Sequence, residues 1–110
     1  MIEKDLKIAL RTVCERTYPV VFPQKVMFPA IVYQVVNASV NQATNGNKTS
    51  RDVRFQVDIY AKKYSEAKAI SEQVVNEVIV LKGGSISVQD LYDSEEKLHR
   101  QLIDFKIKRS

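Results

Sequence analysis

Apolar and polar residues alternate from Arg51 to Ala61. Val53, Phe55, Val57, Ile59 and Ala61 fall on one face, and Arg54, Gln56, Asp58 and Tyr60 on the other. A period of two predicts a strand with one buried face and one wetter face. After Lys62-Lys63-Tyr64, read as a short turn, the period changes: Ala67, Ile70, Val74, Val78 and Leu81 recur at steps of three and four. That spacing lines one side of a helix. Ser65 is the expected N-cap, with Glu66 at the positive end of the helix dipole. Lys82-Gly83-Gly84 is the expected stop, a cation followed by glycines that tolerate left-handed geometry. A strand and a helix that each carry one apolar face pack those faces together, and the remaining segments are read as partners for this unit.

Ile2, Leu6, Ala9, Leu10 and Val13 repeat at helical spacing between charged residues, which predicts a first helix over 2–15. The three prolines of the chain, Pro19, Pro23 and Pro29, all lie in the segment 17–29. Proline fixes its own backbone angle and biases its predecessor toward extended geometry, so an extended connector is expected. Its Val21, Phe22, Met27 and Phe28 are read as cover for an edge of the core, with partner contact as the alternative. Residues 30–38 are rich in β-branched side chains and predict a strand, apolar on both faces and so central or two-sided in its sheet. Residues 39–50 are polar and carry Asn45-Gly46, the signal of a long hairpin excursion. A loop of this length in so small a chain is the best local candidate for a segment that acts outside the fold. Ile86 and Val88 predict a short strand and residues 91–97 an acidic turn. Ile103, Phe105 and Ile107 then alternate with Leu102, Asp104, Lys106 and Lys108 in a last strand. The order is α-β-β-α-β-β. The expected fold is α+β: one domain over 1–110, with two helices on one face of a largely antiparallel four-stranded sheet.

Composition narrows the chemistry. The 110 residues are 45% hydrophobic and 27% charged, ordinary values for a globular chain. No apolar run approaches the ~20 residues of a membrane helix, and the N-terminus lacks the long apolar core of a signal peptide. One cysteine, Cys14, and one histidine, His99, exclude an internal disulfide and any zinc site needing two histidines or two cysteines from one chain. Cys14 is expected against the core at the end of the first helix. No phosphate-binding glycine loop, metalloprotease helix or nucleophile elbow is present. Asp90, Asp93, Glu95 and Glu96 match no calcium-loop spacing and are read as a solvated turn. No catalytic residue, cofactor or metal site is assigned, and an enzyme is not expected. The net charge of +4 permits a polyanion partner without requiring one. A basic patch would need Lys62, Lys63, Lys68, His99, Arg100, Lys106, Lys108 and Arg109 to gather on one surface. The strand RFQVDIYA lacks the glycine-flanked aromatic pattern of an RNA-recognition module.

Three pieces carry a family resemblance: Pro29-Ala30-Ile31-Val32-Tyr33; Phe55-Gln56-Val57-Asp58-Ile59-Tyr60-Ala61 with Tyr64-Ser65-Glu66-Ala67; and the closing strand from Arg100 to Phe105. In that order and spacing the chain resembles the tail completion, or tail terminator, proteins of long-tailed bacteriophages and prophages, lambda U-like minor tail proteins. The resemblance spans nearly the whole chain, and its motifs are structural rather than catalytic. It implies a small subunit that assembles as a ring, typically a hexamer, on the end of the tail tube. The ring stops tube growth and gives the head a docking surface. The implied partners are further copies of the chain, the tail tube protein and the head–tail connector protein. Neither a small-molecule substrate, a membrane nor a specific nucleic acid sequence is implied. The implied location is the virion, at the head–tail junction, after synthesis in the host cytoplasm. The expected contact residues are Asn41, Asn45, Gly46, Lys48 and Arg51 with the polar face of Arg54, Gln56, Asp58 and Tyr60. The alternative function is a monomeric α/β adaptor that binds nucleic acid or an acidic protein through basic residues.

Overall fold

The computed structural model describes residues 2–42 and 49–109. Seven elements follow in order: α1 (Ile2–Val13), β1 (Thr17–Pro19), β2 (Ala30–Gln42), β3 (Thr49–Ala61), α2 (Tyr64–Val80), β4 (Gly83–Asp93) and β5 (Leu98–Arg109). The strands form one sheet in the order β1-β2-β3-β5-β4. The architecture is α+β, as expected, but two details of the expected sheet are corrected. It has five strands rather than four, and one neighbouring pair is parallel. Both differences come from β1, in which Thr17, Tyr18 and Pro19 pair in parallel with Ile31, Val32 and Tyr33. A proline cannot donate to a ladder, and an edge position leaves that donor unneeded. The proline-rich connector is therefore anchored to the sheet at its first residues.

The alternation along β3 has the expected consequence. Val53, Phe55, Val57, Ile59 and Ala61 are buried, and their register partners on β5 include Ile107, Phe105 and Ile103. Ile31 and Tyr33 of β2 stand opposite Ile59 and Val57. Leu6 and Leu10 of α1 and Ile70, Val74 and Val78 of α2 complete the same apolar cluster. Both helices thus lie over one face of the sheet, and Phe55 and Phe105 stack at its centre with ring centroids 5.6 Å apart. Cys14 is buried against this core beyond the end of α1.

The ends of the elements differ from expectation for local reasons. α1 stops at Val13 rather than residue 15, and the Thr17 hydroxyl donates to the carbonyl of Cys14 at 2.7 Å to seal the exit. The N-cap of α2 is Lys63, extended and without a side-chain cap bond, rather than Ser65. At its other end the left-handed residue is Lys82, at φ 64°, rather than a glycine. Gly83 is needed for a different reason: a Cβ there would collide with the Val78 side chain and stand 3.1 Å from the Val78 carbonyl oxygen. The two central strands also run further than expected, Ser39 to Gln42 pairing with Asp52 to Thr49. Apart from Val40 this tail of β2 is polar in sequence, and it is the backbone register with β3 that continues the hairpin. With thirteen residues each, β2 and β3 reach roughly 43 Å and set the long axis of a molecule of 53 × 24 × 24 Å.

Candidate assembly surface

The sheet face away from the helices is built by the other half of each alternation. On β3 it presents Arg54, Gln56, Asp58 and Tyr60, level with Lys106, Asp104, Leu102 and Arg100 of β5. Diagonal partners link the two strands. Arg54 grips Asp104 in a two-pronged bridge, Nε donating to Oδ1 and Nη2 to Oδ2, each at 2.8 Å. The carboxylate beside it holds the Arg54 guanidinium even more firmly charged than usual. Half-exposed pairs of this kind add little stability, so their value lies in fixing the direction of side chains on an open surface. Arg100 reaches Asp58 the same way, with Nε at 3.0 Å and Nη2 at 2.9 Å from Oδ1. Asp58 is buried, and the Gln56 amide Nε2 also donates to its Oδ2 at 3.4 Å. The Arg100 guanidinium also lies over the Tyr60 ring, 5.6 Å from its centroid, a favourable cation–π distance.

Tyr60 joins this polar row to the connector. Phe22 packs edge-on against it at 4.9 Å, and Phe28 and Tyr18 flank Phe22 at 5.8 and 6.1 Å. Burial raises the Tyr60 phenol above its ordinary pKa, with the nearby Arg100 charge working the other way. The expected core cover holds for part of the connector. Phe22 and Phe28 cover the end of the sheet, whereas Val20, Val21 and Met27 stand 64%, 69% and 72% exposed. Val20 sits at φ 68°, a costly angle for a β-branched residue, held by its N–H donating to the Tyr33 carbonyl at 2.9 Å. An open hollow of about 390 Å³ follows beside Tyr60 and Arg100, bounded by Leu91, Tyr92 and Asp93.

The contact residues expected from sequence divide clearly. Arg54, Gln56, Asp58 and Tyr60 share the face as predicted, although Asp58 is buried rather than wet. Asn41 and Arg51 lie in the extended hairpin, paired with Ser50 and Val40. Asn45, Gly46 and Lys48 lie outside the described residues. The exposed Val20, Leu91 and Tyr92 were not singled out in sequence. Leu91 and Tyr92 fell in a segment assigned to an acidic turn.

The basic residues do not gather. Lys68 is paired with Asp90 at 3.4 Å, and Arg100 is committed to Asp58. His99, on the helix side, packs between Tyr64 and Tyr92 at 5.7 and 4.8 Å. Lys62 and Lys63 follow Ala61, which is level with His99, whereas Lys108 lies nine residues further along β5, roughly 30 Å away. The acidic residues also have structural work. Asp93 Oδ1 accepts from the backbone N–H groups of Glu95 and Glu96 at 3.0 and 3.2 Å, closing the β4–β5 turn. Asp90 is held below the ordinary carboxylate pKa by hydrogen bonds from Gln101 and Tyr64, with Lys68 adding to them.

An α+β subunit with an ion-paired open face and an aromatic-pinned connector agrees with one family along almost its whole length: the description "Tail completion protein gp17" matches residues 7–108. The chain belongs to this tail completion family. Membership makes it a structural phage tail protein, a component of the virion, and a structural family of this kind implies a non-enzymatic role. Among solved structures, the tail completion chain is similar to a component of a particle described as "Virion of native gene transfer agent (GTA) particle". The TM-score is 0.65 at 12% identity, covering 98% of this chain and 90% of that one. At that identity the likeness speaks for the fold. No curated relative matches.

Proposed function

We propose that this tail completion protein closes into a ring on the end of the tail tube, ends tube growth there and offers the joining surface for the head. The family match over residues 7–108 supports this most directly. The tail terminator proteins that the sequence resembles act as rings, typically of six copies. A ring is built by heterologous contacts, in which one patch of a subunit meets a different patch of its neighbour until rotation closes the cycle. Growth stops because the bound ring does not repeat the surface on which the next tube subunit would dock. In this reading the partners are other copies of the chain, the tail tube protein and the head–tail connector protein, at the head–tail junction of a virion assembled in the host cytoplasm. The chain folds as one domain and needs neither substrate nor cofactor. The Arg54, Gln56, Asp58 and Tyr60 face and the hairpin residues Asn41, Asn45, Gly46, Lys48 and Arg51 carry neighbour or tube contacts.

The test is elongation of tubes from the tail tube protein of the same phage or prophage, with and without the purified chain, read as tube length by negative-stain electron microscopy. Shorter tubes that carry a ring at one end are expected. Tubes that lengthen equally in both samples would overturn the proposal.

A further inference from the structure

β4 forms one edge of the sheet, bonded only to β5. Its eleven residues contain no lysine, arginine or proline. Val88 and Leu91 on it are 41% and 40% exposed. The other edge is only partly closed. β1 covers β2 at Ile31, Val32 and Tyr33, and among the described residues no strand continues along β2 from Gln34 onward. All thirteen residues of β2 are uncharged, and proline is absent from it too. Val36, at the bulge between Val35 and Asn37, is 46% exposed. Isolated sheet proteins blunt such edges with lysine, proline, short strands or a covering loop, because an open ladder pairs with any strand that reaches it. Here both free edges lack lysine, arginine and proline guards, the charges on β4 being Asp90, paired with Lys68, and Asp93, which closes the β4–β5 turn, and the two edges lie on opposite sides of one sheet.

We propose that β4 of one copy pairs with the free stretch of β2, from Gln34, on the next, so that the sheet continues from subunit to subunit. The occupant is a second copy of this chain because each edge supplies what the other lacks. After its bulge β4 runs in regular register from Ser87 to Asp93, and β2 after its own bulge runs from Asn37 to Gln42, so the two stretches match in length. The strand directions agree as well. β2 and β4 run in opposite senses within one subunit, so neighbours related by rotation about an axis near the strand direction meet in antiparallel fashion. The two stretches are offset along the sheet. Ala38 is level with Val53 and so with Ile107, whereas Asp90 is level with Gln101, six residues away along β5. Six residues are roughly 20 Å, and the four strands β4, β5, β3 and β2 that repeat from copy to copy roughly 19 Å. Closure then tilts the strands by about 45°, at the upper end of the range used by closed sheets. The contact is strand addition, with backbone bonds supplying affinity and the valine and leucine side chains the selectivity. It specifies the interface of the ring and rests on the ring reading.

Two substitutions on exposed side chains test it: Val36→Lys blocks the β2 edge and Leu91→Lys the β4 edge. Circular dichroism melts check that each variant folds, and native mass spectrometry over a concentration series reads assembly. Wild type is expected as a closed oligomer. Each variant is expected as a monomer, its assembly midpoint raised about tenfold or more by the cost of burying a lysine charge. An equimolar mixture is expected to form a one-to-one heterodimer and stop, since it holds one intact β4 edge and one intact β2 edge. Variants that assemble like wild type would overturn the edge pairing and leave the ring standing. A Val36→Lys protein that dimerises by itself would mean β4 pairs with β4, which also overturns it. A wild-type chain that stays monomeric throughout would instead remove the ring reading and the pairing with it.

Discussion

At the scale of single residues, charge and space are both committed, and the commitments explain why the chemistry of this chain is structural. Asp58 is buried with Arg100 for its counter-ion, and Arg100 in turn lies on the Tyr60 ring. Cys14 and His99, the residues with most chemical potential, are respectively packed into the core and held between two tyrosines. The tightest constraint sits at Gly83, where the chain leaves α2 and enters β4 against the Val78 side chain. Gly83→Ala should destabilise the fold by about 1–3 kcal/mol, the usual cost of forcing atoms into filled space. Val78→Ala opens a cavity and costs stability by itself. In the double variant the two effects oppose each other, so the combined loss should fall short of their sum by about 1 kcal/mol, the signature of direct contact. Urea denaturation of the four proteins measures this, and strictly additive losses would contradict the collision.

At the scale of elements, the connector from Thr17 to Pro29 decides the shape of one end of the sheet. Its first three residues are a strand, and its aromatic residues fold back over Tyr60. Phe22→Ala removes the ring that touches Tyr18, Phe28 and Tyr60 together. Phe22 is only half buried, so the loss should stay near 1–2 kcal/mol, below the 3–5 of a core phenylalanine. The Tyr60 phenol, raised by burial, should move back toward an ordinary tyrosine in a spectrophotometric alkaline titration. An unchanged titration would mean that the cluster does not shield Tyr60. The elements with a strong period were readable without coordinates: β3, α2, β5 and the core face of α1 follow from spacing alone. β1 was not, because three residues beside a proline have no period to read, and their strand character comes from Ile31, Val32 and Tyr33 opposite. The full length of β4 was obscured by its glycines and its bulge, which break the alternation before Ser87. The polar tails of β2 and β3 were hidden because Ser39 to Gln42 owe their extension to backbone pairing. The face holding Arg54, Gln56, Asp58 and Tyr60 was legible from alternation; its ion pairs were not, since register between β3 and β5 sets which diagonal partners meet.

At the scale of the whole molecule, the arrangement of charge separates an assembly subunit from a polyanion binder. A protein that neutralises several phosphates with one basic surface loses affinity steeply with salt, because each contact releases counterions. This chain carries seventeen bases and thirteen acids, but the bases lie on both sides of the sheet and along roughly 30 Å of β5, and several are consumed by Asp58, Asp90 and Asp104. Neighbour contacts that use strand edges without lysine or arginine, and exposed apolar residues, draw on backbone bonds and burial, which salt barely screens. Self-association should therefore shift by no more than about twofold between about 50 and about 200 mM salt, where a six-phosphate binder would lose roughly a thousandfold. Duplex DNA or RNA should show weak retention at the lower salt and none at the higher. Sedimentation velocity at the two ionic strengths reads the first expectation and fluorescence anisotropy of a labelled duplex the second. A steep fall of duplex affinity from a tight starting value, with no self-association at either salt, would identify a monomeric adaptor working through its lysines and arginines. The opposite pattern leaves the faces of the sheet, and the strands that end it, as the surfaces through which this subunit acts.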